Sequence, residues 1–473
     1  MSGWREECGV IGAIGVPRAA ELAYFGLYAL QHRGQEGAGI VAFENGRHRV
    51  RKGAGLVSDV FTLDGLADLP GDVAVGHNRY STTGSCRPEN QQPLVSHCLG
   101  GVLALAHNGN LVNAWELRQD LEREGAIFQT SMDTEVIVHL IARSRRKTLV
   151  DRVQESLRSV KGAFSLVLAD GRRLIAARDP DGFRPLCIGR IGEGFLVASE
   201  SCALDILNAT YEREVGAGEM VVIEDGKIRS IPLDGSRDPH HCIFEFIYFS
   251  RPDSTIFGHA VDPVRRRLGH VLAESFPAEA DIVISVPDSS NSAALGYSER
   301  SGIPFEMGLI RNHYVGRTFI QPIQHMRDLR VRVKFNAVRN VLAGKRVVVV
   351  DDSIVRGTTM RKLVKMIRHA GAARVILRIS SPPIRYPCFY GIDTPTRGEL
   401  IASTHTVEEI RKYLDVDDLA YLTIEGLKGA APAGLGYCTA CFDGAYPIPF
   451  SHTPSKEILE NGTASPALRA ADE

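Results

Sequence analysis

Val347-Val348-Val349-Val350-Asp351-Asp352-Ser353-Ile354-Val355-Arg356-Gly357-Thr358-Thr359-Met360 is an apolar run that ends in two acids, passes through a hydroxyl-rich loop and opens a helix. Four consecutive valines without alternation read as a strand buried on both faces, as in a parallel sheet covered by helices. In open sheets of that kind, ligands sit beyond the carboxyl ends of the strands, where this loop would lie. Free N–H groups at a helix start, flanked by Thr hydroxyls, suit a phosphate. The adjacent carboxylates of Asp351 and Asp352 suit ribose hydroxyls and a magnesium ion. The Gly-Lys-Ser/Thr ending of a Walker loop is absent.

The surrounding residues repeat the strand–turn–helix rhythm. Asp281-Ile282-Val283-Ile284-Ser285-Val286 and Arg374-Val375-Ile376-Leu377-Arg378-Ile379 read as further buried parallel strands, with a helix over Met360 to Ala370 between the last two. Val286-Pro287-Asp288-Ser289-Ser290 is a second loop at a strand end. Arg311-Asn312-His313-Tyr314-Val315-Gly316-Arg317 continues to Pro322 as a candidate closing loop, mixing cations for an anionic ligand with aromatics that exclude water.

Toward the N-terminus the pattern changes. Short apolar runs such as Val73-Ala74-Val75-Gly76, Gly101 to Ala106, Phe164 to Leu168 and Glu219 to Ile223 predict several strands. Helices are predicted around Thr134 to Arg143 and Leu149 to Val160. Pro, Asp, Gly, Ser and Arg dominate from Pro232 to Pro239, which marks a linker. The reading is therefore two domains, 8–232 and 240–450, with a leading segment 1–7 and a polar, frayed tail over 451–473.

Composition narrows the function. With 473 residues, 44% hydrophobic and 23% charged, the chain is an ordinary globular protein. Lys+Arg (55) and Asp+Glu (56) cancel, so charge gives no case for nucleic acid or an anionic membrane as partner. The start carries no basic stretch followed by an apolar run, and no apolar stretch approaches the length of a spanning helix, so a cytoplasmic location is expected. The nine cysteines are odd in number and irregularly spaced, unlike a disulfide framework.

The Asp351–Thr359 segment resembles the phosphoribosyl pyrophosphate motif of the type I phosphoribosyltransferases. The resemblance implies that Asp351 and Asp352 contact the ribose and help place Mg2+, with Ser289 near the metal. It also implies that Ser353, Arg356, Gly357, Thr358 and Thr359 hold the 5-phosphate, and that Arg311 and Tyr314 belong to the flexible loop. The first position of that loop is often Lys in relatives and is Arg311 here, which keeps the charge and alters the geometry.

Four N-terminal segments, Cys8-Gly9-Val10-Ile11-Gly12 aside, point to a second chemistry. They are Gln31-His32-Arg33-Gly34-Gln35-Glu36, Gly76-His77-Asn78-Arg79-Tyr80-Ser81, Ala106-His107-Asn108-Gly109-Asn110 and Thr130-Ser131-Met132-Asp133. They resemble the class II glutamine amidotransferases, whose nucleophile is an N-terminal cysteine, here Cys8 once residues 1–7 are removed. An α-amine (pKa ~7.7–8.0) and a thiol (~8.5) are matched closely enough for the amine to take the thiol proton. Asn108 and the Gly109 N–H are the expected oxyanion donors. Arg79 is expected on the glutamine carboxylate, Asp133 on its ammonium, and Arg33 as a further glutamine contact.

Cys438-Thr439-Ala440-Cys441, with Cys242 and Cys388, allows by spacing alone a redox pair, a zinc site or an iron–sulfur cluster. These four positions resemble the [4Fe–4S] ligands of one branch of the glutamine phosphoribosylpyrophosphate amidotransferases, and would be structural. Cys86, Cys98, Cys187 and Cys202 read as ordinary core or surface residues. Over about residues 8 to 450 both halves together resemble that family. The resemblance implies an N-terminal-nucleophile αββα glutaminase domain followed by a type I phosphoribosyltransferase domain with an open parallel sheet. It further implies glutamine and phosphoribosyl pyrophosphate as substrates, purine nucleotides as inhibitors and a homotetramer. Other class II amidotransferases would carry sugar-isomerase domains or an ATP-binding Ser-Gly-Gly loop, which the sequence lacks. A nucleotide-sensing regulator that had lost catalysis is disfavoured by intact Cys8, Asp351 and Asp352.

Overall fold

The computed structural model describes residues 8–80, 87–98, 101–233, 238–312 and 334–450, together with 452–453, 459 and 465–466. The N-terminal half is a sandwich of two antiparallel sheets. Seven strands run in the order Thr210–Glu214, Cys187–Ile191, Gly194–Ala198, Gly9–Ile14, Val73–Arg79, Gly37–Glu44, Arg47–Ala54. Six run in the order Lys227–Pro232, Glu219–Glu224, Arg173–Arg178, Gly162–Ala169, Gly101–Leu111, Leu94–Cys98.

Strand alternation sorts the side chains into layers. Val10 and Ile14 point between the sheets, where they meet Ala104, Ala106 and Val167. Ile11 and Ala13 point the other way, onto Ala23 and Leu27 of helix Ala19–Ala29. On the far side, Phe164, Leu166 and Leu168 pack against Val136, Ile137 and Ile141 of helix Thr134–Arg143 and Val150 and Val153 of helix Leu149–Leu157. The layers are thus helix, sheet, sheet, helix, the αββα order expected.

The C-terminal half is built on a parallel sheet in the order Ile282–Ser285, Arg346–Asp351, Arg374–Ile379, Asp418–Tyr421. The valine run is covered on both faces. Val347 and Val349 meet Leu363, Val364 and Ile367 of helix Thr358–His369. Val348 and Val350 meet Leu268 and Leu272 of helix Val261–Ser275 and Ala293 and Tyr297 of helix Asn291–Ser301. Burial on both faces is why the run shows no alternation. Among the described residues no helix is long and apolar enough to cross a membrane.

The halves meet along a packed seam. Cys242 donates its N–H to the Phe183 carbonyl at 3.1 Å, and the Phe183 ring stacks on Tyr390 at 4.4 Å. Residues 452–453 pair with 465–466, and Leu459 is buried against the outer helices of the N-terminal half. At that residue the segment expected to fray is instead anchored, because Leu459 is one of its few large apolar side chains.

Candidate functional sites

Cys8 precedes the strand Gly9–Ile14, which pairs with Val73–Arg79, so the thiol lies beside Arg79 and Tyr80. Its thiol donates to the Tyr80 carbonyl at 3.2 Å, and the Tyr80 N–H approaches Sγ at 3.4 Å. Burial pushes the Cys8 thiol up to about 11, although the Arg79 charge and the bond to Tyr80 pull it down. A thiol so placed is protonated at neutral pH and attacks only if a base takes its proton.

Asp133 lies in the same field: its Oδ2 accepts the Leu111 N–H at 2.9 Å. Burial would raise the Asp133 carboxyl, but His107 and two backbone N–H groups bring it below the ordinary range. Leu111 ends the strand Gly101–Leu111 that carries Asn108 and Gly109. The Asn108 side chain is 1% exposed, and neither Oδ1 nor Nδ2 has a partner among the described residues. An unsatisfied buried amide of this kind costs ~1–3 kcal/mol, so its retention calls for an explanation. Gly109 has φ 150°, and a Cβ there would stand 2.0 Å from the Ala163 carbonyl oxygen. Only glycine fits there.

Arg33 does not fit the role of glutamine contact. Its guanidinium is 1% exposed and tied inward, donating Nε to the Cys8 carbonyl at 3.2 Å and its terminal nitrogens to Glu200 and Glu245. Two buried carboxylates outcompete a ligand for a buried cation. Burial would raise Glu200, but His32 and Arg33 hold it well below the carboxylate range.

At the parallel sheet, Asp351 and Asp352 sit inside a ring of hydroxyls. Ser290 Oγ donates to Asp351 Oδ1 at 2.8 Å, Ser289 Oγ to Asp352 Oδ1 at 2.6 Å, and Ser353 Oγ to Asp352 Oδ2 at 2.6 Å. The two loops expected from the sequence therefore converge. Burial raises both carboxyls, and for Asp351 the neighbouring Asp352 adds to it. Gly357, at φ 71°, caps helix Thr358–His369 and turns Thr358 and Thr359 into its first turn. Arg356 reaches Glu399 at 2.7 Å, and Arg311 reaches Asp288 at 2.6 Å. Tyr314 lies outside the described residues.

Cys242 and Cys438 are partners in a short parallel pairing, and Cys441 feels the charges of Cys438, Cys242 and Cys388. Burial pushes Cys438 up to about 12 and raises Cys441 well above the ordinary thiol range. The four thiols thus share one neighbourhood, Cys242 and Cys441 buried and Cys388 and Cys438 half-buried. Among the described residues, however, no group of three or more His, Cys, Asp or Glu is placed to hold a metal ion. A zinc ion with bonds of ~2.3 Å draws four sulfurs into a tight shell, whereas a cubane holds them wider apart. Cys187 and Cys202 are buried in the core, Cys98 is half-buried, and Cys86 lies outside the described residues.

Sequence reasoning missed several residues of the seam. Arg184 Nη2 donates to the Tyr390 carbonyl at 2.7 Å, Asn110 Nδ2 to the Phe389 carbonyl at 2.9 Å, and a Cβ on Gly391 would stand 3.0 Å from Gly109 Cα. Arg265, buried at the carbonyls of Phe246 and Ser250, contributes positive charge at Asp352. Arg184 and Asn110, with partners 206 and 279 positions away, leave no local signal.

The comparisons agree with this geometry. A glutamine amidotransferase domain model matches residues 77–205, and a phosphoribosyl transferase domain model matches residues 273–380. Amidophosphoribosyltransferase of Bacillus subtilis (strain 168) is 53% identical, covering 94% of this chain and 95% of that one. The chloroplastic amidophosphoribosyltransferase of Vigna aconitifolia is 51% identical, covering 97% and 95%. A solved structure of glutamine phosphoribosylpyrophosphate amidotransferase from B. subtilis, complexed with ADP and GMP, superposes with a TM-score of 0.88 at 52% identity, covering 93% of this chain and 97% of that chain. The similarity runs nearly end to end, through both domains, and the chain belongs to the amidophosphoribosyltransferase family.

Proposed function

We propose that the two sites divide the family's reaction, the glutamine-dependent amination of phosphoribosyl pyrophosphate in purine biosynthesis. Cleavage before Cys8 exposes an α-amine that takes the thiol proton. The sulfur attacks the glutamine amide carbon, and the oxyanion of the tetrahedral intermediate is received by Asn108 Nδ2 and the Gly109 N–H. Loss of ammonia leaves a thioester, which water hydrolyses to glutamate. Arg79 and Asp133 orient the glutamine through its carboxylate and ammonium.

Ammonia then attacks the anomeric carbon as the bond to pyrophosphate breaks, giving 5-phosphoribosylamine. Asp351 and Asp352 position the ribose, and the Ser353–Thr359 loop seats the 5-phosphate at the helix start. Mg2+, held by Asp351, Asp352 and Ser289 with substrate oxygens, would neutralise the departing pyrophosphate. Two adjacent carboxyls that burial pushes up suit such an ion, and so few protein ligands are usual for it. Cys242, Cys388, Cys438 and Cys441 would hold a [4Fe–4S] cluster that fastens the C-terminal segment to the core.

The observation that carries this reading is the orphaned Asn108 amide, on the strand whose Leu111 N–H holds Asp133 and next to a glycine against which the other domain's Gly391 is packed. Purine nucleotides are proposed as inhibitors, supported by the relative solved with ADP and GMP. A homotetramer and a cytoplasmic location complete the proposal. The first is supported by the resemblance, the second by the eight free cysteines among the described residues. The test is Cys8→Ala. Glutamine should no longer support pyrophosphate release, while ammonium salts at a pH supplying free ammonia still should. Normal turnover with glutamine would overturn the assignment.

A further inference from the structure

The buried charges at the seam include two carboxylates, Glu200, which takes Arg33 Nη1, and Glu245, which takes both arginines that cross the seam. Glu245 opens the turn Glu245–Phe249 in the phosphoribosyltransferase half, and it is 0% exposed. It accepts Arg33 Nη2 at 2.7 Å and Arg33 Nη1 at 3.1 Å, with Arg184 Nη1 3.6 Å away; Ser250 Oγ donates to its Oε2 at 2.6 Å. Both arginines come from the glutaminase half, and each holds one wall of the glutamine site. Arg33 grips the carbonyl of the nucleophile, Cys8. Arg184 grips the carbonyl of Tyr390, the residue before Gly391, which abuts the oxyanion glycine Gly109.

We infer that Glu245 is a positioning residue for the glutamine half-reaction, setting nucleophile and oxyanion wall relative to each other from the opposite domain through Arg33 and Arg184. A planar guanidinium gripped at two nitrogens is fixed in orientation as well as place, so its remaining nitrogen can index the backbone it touches. A carboxylate shared by two such cations makes their positions interdependent. Catalysis by a covalent nucleophile is sensitive to displacements well under the length of a bond, which gives this indexing its effect. The inference rests on the reading of Cys8 as nucleophile.

The test uses the full-length enzyme carrying Glu245→Gln, which keeps size and loses charge. Glutamine-dependent kcat should fall by about 10–100-fold with KM for glutamine nearly unchanged, because binding groups are untouched. Ammonia-dependent pyrophosphate release should stay at the wild-type rate. Alkylation of Cys8 by a chloroketone analogue of glutamine should slow in parallel, a readout that a general loss of packing would not select. An unchanged ratio of glutamine to ammonia rates, or equal loss of both in folded protein, overturns the inference. Should Glu245→Gln not fold, Ser250→Ala removes only the hydroxyl that orients the carboxylate. It should lower the ratio by about 2–10-fold, the loss of one hydrogen bond, and an unchanged ratio refutes the role. In wild type, the same alkylation should stop glutamine use and spare ammonia use. Failure there would refute the nucleophile itself.

Discussion

Replacing Asn108 should move activity and stability in opposite directions. Its amide is sealed from water with both polar atoms unpartnered among the described residues, a standing cost of ~1–3 kcal/mol to the fold. In the reaction the same Nδ2 meets a developing oxyanion, and loss of one such donor costs ~2.7–4 kcal/mol, or 10²–10³ in rate. Asn108→Leu keeps the number and branching of heavy atoms and removes the unsatisfied amide, so the variant should be more resistant to urea, by up to about 1–3 kcal/mol less the cost of its added bulk. Asn108→Ala leaves a small void that offsets part of that gain. Both variants should lose 10²–10³ of glutamine-dependent pyrophosphate release and keep the ammonia-dependent rate. Chemical denaturation and the two nitrogen sources, run on one preparation, give both quantities. Glutamine turnover within twofold of wild type, or Asn108→Leu clearly less stable than wild type, would refute the reasoning.

Asp351→Asn with Asp352→Asn should abolish phosphoribosyl transfer while glutaminase activity persists. Because the folded state favours the protonated acids, their ionisation weakens the fold as pH rises above ~3.9, so at pH 8 without Mg2+ the double variant should melt higher than wild type. Protein purified without air should be brown with about four irons per chain, and Cys438→Ser or Cys441→Ser should cost folding more than either chemistry; colourless, active, zinc-containing protein would contradict this. Burial, aided by Arg79, pushes His77 down to about 3, so between pH 6.5 and 3 the unfolded chain binds a proton that the folded one refuses. Stability should fall on acidification by about 1.4 kcal/mol per pH unit from this group, and His77→Gln should remove that part of the slope in urea titrations.

Both domains could be read from the sequence because their signals are local. The valine run carries its burial in its composition, and the acids, hydroxyls and glycine that follow occupy one loop. The helix expected over Thr134 to Arg143 has those limits. Met360 to Ala370 begins two residues late, because Gly357 supplies the cap and the threonines already belong to the first turn. Ser289 was placed correctly beside Asp352 by its strand-end position. The motif around Arg33 gives no sign of the carboxylates that hold it, which are 167 and 212 residues away. Glu245, Arg184 and Gly391 carry no motif at all, and their roles exist only once two domains dock.

That docking also has a place in time. On a chain made from the N-terminus, Arg184 waits for its Tyr390 carbonyl across 206 residues, and Arg33 waits for Glu245 across 212. At ~5–20 residues per second the interval is about 10–40 s. Throughout it the glutaminase sandwich can close its own layers, yet Phe183 has no Tyr390 to stack on and the Gly109 wall stands uncovered. The nascent N-terminal half is therefore a folded body with an unfinished reaction centre. Ammonia release can begin in earnest only after the acceptor's domain has left the ribosome.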